Sequence, residues 1–247
     1  MAANDEPQSR VWDKFLSEQD KAALSLAQPR MRGYGERPAL LLIDLYRWVY
    51  GDEPQPLLEA VKTWPGSCGL PAWEAIPHLQ KLLAASRAAG IPVIHTTGVT
   101  DDVMRPWAKG SRSTRNQVVD EPAEDRVRRR YDIIDEVAPI EGELVIRKSS
   151  PSGFWGTPLV GHLIDHGIDT VLVGGESTSG CVRASVVDGC TSRFKMVVVE
   201  ECVFDRHEAP HAIDLFTMSQ KYADVVPLEN ALEYLDRIQE GGRPGRG

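Results

Sequence analysis

The chain has no run of about 18 or more apolar residues, so nothing in it reads as a membrane-spanning helix. The stretch Met1 to Arg10 lacks both a basic n-region and an apolar h-region and does not read as a secretory leader. The expected setting is cytoplasmic, with no membrane partner. Basic charge is also scarce: 28 Lys and Arg stand against 36 Asp and Glu, a formal net charge of −8. Nucleic-acid binding draws on clustered cations, so no nucleic-acid partner is expected. The one basic run, Arg126 to Arg130, lies between Asp125 and Asp132 and reads as a solvated helix face. Only four cysteines occur (Cys68, Cys181, Cys190 and Cys202), with no CxxC pair. In a reducing compartment these are free thiols, each to be judged for packing or for reactivity. Internal repeats and low-complexity tracts are absent.

What is present is the composition of a globular protein, 42% hydrophobic and 26% charged over 247 residues, enough for one two-sided α/β core. Residues 1–32 read as an N-terminal arm, helical where Val11, Phe15, Leu16, Leu24 and Leu26 recur among charges. Such an arm wraps a neighbour or its own domain. Gly33 and Gly35 turn the chain into Pro38-Ala39-Leu40-Leu41-Leu42-Ile43-Asp44, an apolar strand ending in a carboxylate. Gly51 to Pro71 is rich in Pro and Gly and reads as a long loop. Trp73, Ile76, Leu79, Leu82 and Leu83 follow at helical spacing, closed by Gly90. Ile91 to Thr96 is a strand, and residues 98–130 read as a second long loop of the kind kept for function.

From there strands and helices alternate. Leu144 to Ile146 is a strand ending at Arg147 and Lys148, and Thr170 to Val173 is one running into Gly174 and Gly175. Met196 to Val199 is a third, and a short fourth covers 224–226. Helices are expected over 158–166, 181–193, 208–222 and 228–239. Strands apolar throughout, separated by helices, imply a parallel sheet covered on both faces. The expected architecture is therefore a three-layer α/β/α domain over 33–240, with the arm before it and a disordered tail at 241–247.

Ligands of open parallel sheets bind beyond the carboxyl ends of the strands. Asp44, Lys148 and the turn before Cys181 all fall at such ends, so the fold can gather them into one site. A thiol at a helix N-terminus is expected to lose its proton more easily. The small-residue turn Gly174 to Gly180 leaves backbone amides, those of Cys181 and of a residue near Ser177, to face a carbonyl oxygen. Asp44 can take the thiol proton and return it to a leaving amine. Lys148 can steady both negative charges. Each residue also has a plain reading: a packed thiol, a cap, a surface lysine.

These segments resemble the cysteine hydrolase (isochorismatase-like) superfamily, and within it the N-carbamoylsarcosine amidase and maleamate amidohydrolase branches. The likeness is carried by 38–44, by Glu143 to Lys148, by Ser177-Thr178-Ser179-Gly180-Cys181-Val182-Arg183, and by Glu201-Cys202-Val203-Phe204-Asp205-Arg206-His207. It runs from about Gly33 to about residue 235. It implies an Asp44–Lys148–Cys181 triad, a six-stranded, mostly parallel sheet, and an oxyanion hole built around a cis Glu176–Ser177 bond. The implied reaction is hydrolysis of a small linear amide or carbamoyl carboxylate through a thioester, with no cofactor, in a dimer or tetramer of the chain. Arg206 is a candidate clamp for a substrate carboxylate; an ion pair with Asp205 or Glu208 is its alternative. The nicotinamidases of the superfamily carry an Asp/His metal site after the first strand. Leu45 to Pro56 holds no histidine, so no metal is expected.

Trp48, Trp107, Phe154 and Trp155 fall on loops near strand ends and are candidates to line the pocket, with core packing as the competing account. Three rivals were weighed. A serine hydrolase using Ser177 lacks the final glycine of G-x-S-x-G, with His207 or His211 as its base. A non-catalytic small-molecule binder lacks the phosphate-loop spacings. A zinc site at Cys202, His207 and His211 lacks a fourth ligand.

Overall fold

A computed structural model describes residues 10–26, 31–99 and 124–241. Six strands form one sheet: β1 Pro38–Ile43, β2 Val93–Gly98, β3 Leu144–Lys148, β4 Thr170–Glu176, β5 Lys195–Phe204 and β6 Ala223–Val226. They lie in the order β3-β2-β1-β4-β5-β6, and every neighbouring pair is parallel. The described helices are α1 Glu18–Leu26, α2 Arg47–Tyr50, α3 Leu57–Thr63, α4 Leu70–Ala88, α5 Glu124–Arg129, α6 Leu159–Asp165, α7 Arg183–Thr191, α8 Glu208–Lys221 and α9 Leu228–Glu240.

Alternation along β1 shows how the layers form. Leu40 and Leu42 point into one core with Leu79 and Leu82 of α4 and Leu235 of α9. Leu41 and Ile43 point into the other with Leu163 of α6, Val186 of α7 and Leu215 of α8. Because successive strand residues face opposite sides, a strand buried on both must be apolar at every position. All six residues of β1 are buried. No described helix is long and apolar enough to cross a membrane.

The strand order reverses between β1 and β4, and at such a switch point a crevice opens at the carboxyl edge. There Gly175, with φ at +124°, lies against β1 so closely that a Cβ would sit 2.1 Å from the Ile43 carbonyl oxygen. Only glycine fits.

Four expectations are corrected. The segment 51–71 is not all loop, because Leu57–Thr63 is helical. Helix α5 lies inside the expected loop 98–130; it carries the basic run and pairs Arg128 with Asp125 on an exposed surface. β2 runs two residues beyond Thr96, to Gly98. β5 is far longer than Met196–Val199 because its register against β4 shifts after Val173, which lets it continue to Phe204. The arm does hold a helix, and the residues before it bind their own domain. Buried Trp12 packs on Phe216, and Arg10 pairs with Glu200 while donating to the Val225 carbonyl.

At the opposite edge of the sheet, Arg87 Nε and Nη2 donate to the two oxygens of Glu143 at 2.7 and 2.9 Å. The Ile140 amide and His95 Nε2 lie 3.0 and 3.1 Å from its Oε2. Burial pushes this carboxyl up, but Arg87, Ile140 and His95 outweigh it and hold it at about 2. Glu143 therefore stabilises the fold above its ordinary range near 4.5, and that contribution is lost as pH falls toward 2. Glu143→Gln should lower unfolding free energy by about 2–3 kcal/mol near neutrality, a gap that narrows as pH falls from about 5 toward 3. Urea titrations across that range check it, and a gap independent of pH would contradict it.

Candidate active site

β1 delivers Asp44 one residue beyond its last ladder position, with φ at 57°, a left-handed conformation that Asp tolerates better than most residues. Thr96 of β2 fixes it there. The Asp44 amide donates to the Thr96 carbonyl and hydroxyl, each at 3.2 Å, and the Thr96 hydroxyl donates to Asp44 Oδ1 at 2.9 Å. One carboxylate oxygen is thus oriented by Thr96, leaving Oδ2 for the crevice.

Lys148 arrives from β3, which is separated from β1 by β2. Two strand spacings are roughly 10 Å, a gap that calls for a long side chain. Its Nζ lies 2.6 Å from Asp44 Oδ2, 3.4 Å from Cys181 Sγ and 3.1 Å from the Ser150 carbonyl oxygen. The three donors of the ammonium have three acceptors. Burial pulls the Lys148 pKa down, but the Asp44 charge and the hydrogen bonds to Asp44 and to the sulfur outweigh it, and the net shift is upward. The ammonium is a fixed cation.

Cys181 comes from the far side of the switch point. β4 ends at Glu176, a cis bond joins it to Ser177, and Thr178–Val182 form an irregular turn kinked at Gly180 (φ −114°, ψ −106°). The amides of Gly180 and Val182 both donate to the Ser177 carbonyl, at 2.9 and 3.1 Å. The regular helix α7 begins only at Arg183, two residues later than expected. The expectation of an acidified thiol is corrected as well. Burial pushes the Cys181 thiol well up, the Asp44 charge adds to that, Lys148 opposes it, and Glu176 adds more. That balance favours the protonated thiol beside Asp44 and Lys148.

The other predicted residues lie as follows. Ser177 begins the nucleophile turn; of the histidines offered as its base, His211 is bonded to Thr178 instead (Nδ1 to Oγ1, 2.8 Å). Cys202 is buried in the apolar core, so it is not gathered with His207 and His211. For Arg206 the alternative reading, an ion pair with Asp205 or Glu208, is not seen among the described residues. Arg206 Nε and Nη2 donate to the carbonyls of Ser67 and Pro65, at 3.0 and 3.1 Å. Trp48 is half-buried, edge-on to Trp64. Phe154 is corrected to a core residue, buried and packed on Phe194, while Trp155 is exposed. Trp107 falls outside the described residues. Among the described residues no three His, Cys, Asp or Glu side chains cluster to hold a metal ion.

Thr96 and Ser150 carry no site assignment in the sequence reading, Asp205 enters it as an ion-pair partner for Arg206, and His211 as a base or zinc ligand in the rival readings. Thr96 lies inside β2, two residues before its end and between His95 and Thr97, where its type alone gives no signal. The Ser150 contact is a backbone carbonyl and leaves no trace in residue type.

The chain was compared with known proteins. The model of the isochorismatase domain matches residues 39–230. A maleamate amidohydrolase of Pseudomonas putida is 35% identical over 83% of this chain and 90% of its own length. An N-carbamoylsarcosine amidase of an Arthrobacter species is 34% identical over 85% of this chain and 76% of its own. Among solved structures, the N-carbamoylsarcosine amidase of Thermoplasma acidophilum superposes with a TM-score of 0.58 at 25% identity, covering 78% of this chain and 97% of that one. A cysteine hydrolase from Pseudomonas syringae shares the fold, with a TM-score of 0.67 at 18% identity, over 85% of this chain and 97% of its own.

The electrostatics make two opposite predictions for the thiol. Lys148→Met removes the one charge that favours the thiolate and should slow alkylation of Cys181 by iodoacetamide about tenfold near pH 8, one pKa unit being a factor of ten in thiolate. Asp44→Asn removes a charge that opposes the thiolate and should speed the same reaction. Mass spectrometry of the Cys181 peptide reads both rates, and changes in the same direction would contradict the assignment.

Proposed function

The chain belongs to the isochorismatase family, and we propose that it is a cysteine amidohydrolase cleaving the C–N bond of a small linear amide or carbamoyl carboxylate. The observation that carries this reading is the ammonium of Lys148, 2.6 Å from Asp44 and 3.4 Å from Cys181. It joins a base and a sulfur nucleophile drawn from distant parts of the chain. Relatives at 35% and 34% identity that bear the names of two such amidases support the substrate class.

In the proposed cycle Asp44 removes the Cys181 proton as the sulfur attacks the carbonyl carbon. The high resting pKa of the thiol makes a neighbouring base necessary. The carbonyl oxygen gains negative charge, which the backbone amides of Ser177 and Cys181 receive. Asp44 returns the proton to the nitrogen, the C–N bond breaks and ammonia leaves, with a thioester left on Cys181. Asp44 then takes a proton from water, whose oxygen attacks the thioester; the acid departs and the thiol is restored. Lys148 stays charged throughout and balances the site's single negative charge, whether that charge sits on Asp44 or on the sulfur.

Arg206, the candidate for a substrate carboxylate, donates to the Ser67 and Pro65 carbonyls and lines a cavity that none of Asp44, Lys148 and Cys181 lines, so no substrate contact is assigned to it. Ammonia release from a panel of maleamate, N-carbamoylsarcosine and other carbamoyl amino acids tests the function. Cys181→Ala should abolish it, and turnover retained by that variant would overturn the reading.

A further inference from the structure

The nucleophile turn is irregular, and its own hydrogen bonds do not account for all of its polar groups. Two of its amides are matched internally, those of Gly180 and Val182 on the Ser177 carbonyl. The groups facing away from β1 are matched by a different element, the corner between β5 and α8. The amide and the hydroxyl of Ser179 both donate to Asp205 Oδ2, at 2.9 and 2.7 Å. The hydroxyl of Thr178, fully buried, shares a 2.8 Å hydrogen bond with Nδ1 of His211 in the first turn of α8. Asp205 is itself buried, and its second oxygen accepts the His207 amide at 3.4 Å. The corner is therefore held before it holds the turn.

Asp205, Arg206 and His211 line a separate cavity of about 510 Å³, closed on one side by Arg10 and Val11 of the arm, and none of Asp44, Lys148 or Cys181 lines it. Asp205 therefore acts on the reaction through the backbone it holds.

We propose that Asp205 is a positioning residue, with His211 as its second point of support, and that the pair fixes the Ser177–Cys181 backbone in the orientation that receives the oxyanion. An oxyanion hole works only if its donors point at where the charge develops, and Asp205 and His211 hold the kinked turn from outside, beside its own bonds and the Ser185 hydroxyl on the Cys181 carbonyl. A carboxylate suits the role because one anionic oxygen can accept from an amide and a hydroxyl together. The inference rests on the amidohydrolase reading, and its test separates the two.

The measurement is kcat and KM for ammonia release on the best substrate of the maleamate and N-carbamoylsarcosine panel, with the thermal midpoint and the iodoacetamide rate at Cys181 taken on the same preparations. Asp205→Asn should lower kcat about 10- to 100-fold, the scale set by misaligned oxyanion donors, with KM changed less than about threefold. The alkylation rate should stay near that of the unmodified protein, because the sulfur and Lys148 are untouched. If Asp205→Asn does not give folded protein, Thr178→Val serves: it should lower kcat about fivefold or more, and Thr178→Ser, which restores the hydroxyl, should recover it. An unchanged kcat in folded Asp205→Asn, or a Thr178→Ser no better than Thr178→Val, would overturn the proposal. Turnover surviving Cys181→Ala would instead remove the reading beneath it.

Discussion

A lysine ammonium reaching across an intervening strand is what the rest of the site depends on. Asp44, at the end of β1, and Lys148, at the end of β3, are not on neighbouring strands, and their charges meet at 2.6 Å above β2. Burying either charge alone costs several kcal/mol, so neither position is stable without the other. Lys148 adds a backbone carbonyl and the Cys181 sulfur as further acceptors, and its pKa rises despite its burial. Replacing it by an apolar residue would leave Asp44 buried and uncompensated, a change that typically costs about 3–5 kcal/mol.

That pair sets the terms for the thiol. In many cysteine enzymes a helix N-terminus or a nearby cation lowers the sulfur's pKa. Here the sulfur sits beside a carboxylate as well as an ammonium, in a buried setting, with α7 starting two residues downstream. Burial and Asp44 win over Lys148, and in the proposed cycle the carboxylate that raises the thiol's pKa is also the group that removes its proton. Thr96 gives this arrangement its direction by holding Oδ1, which leaves Oδ2 toward Lys148.

Much of the fold could be read from residue order, because strands buried on both faces carry a strong signal. Pro38 to Ile43 is apolar without interruption, and with five further, less purely apolar strand segments punctuated by helices it leaves few architectures. Boundaries were less legible where tertiary context overrides local pattern. β5 runs past Val199 through Glu200 and Glu201, two charges that no strand pattern favours, because its register shift against β4 lets them escape the core. The helix at Leu57–Thr63 was hidden by the prolines and glycines on either side of it. Within the site, residues at strand ends announced themselves by type: an acid, a lysine and a cysteine after apolar runs. What could not be read was support by contact. Arg206 grips the backbone at Pro65 and Ser67, and Asp205 grips the turn at Ser179, across separations of more than a hundred and of 26 residues that no spacing rule connects. The sign of the Cys181 shift was equally hidden, since it is a balance of burial and two opposite charges.

The account's central claim is that carbon bonds to the Cys181 sulfur during turnover. The most direct measurement is rapid acid quench of the enzyme with excess maleamate, followed by intact-mass and peptide analysis. The account predicts a transient adduct on the Cys181 peptide with the mass of the acyl group, formed as ammonia is released and lost as the acid appears. Full turnover with no adduct at any quench time, or an adduct on a serine of the same turn, would contradict it.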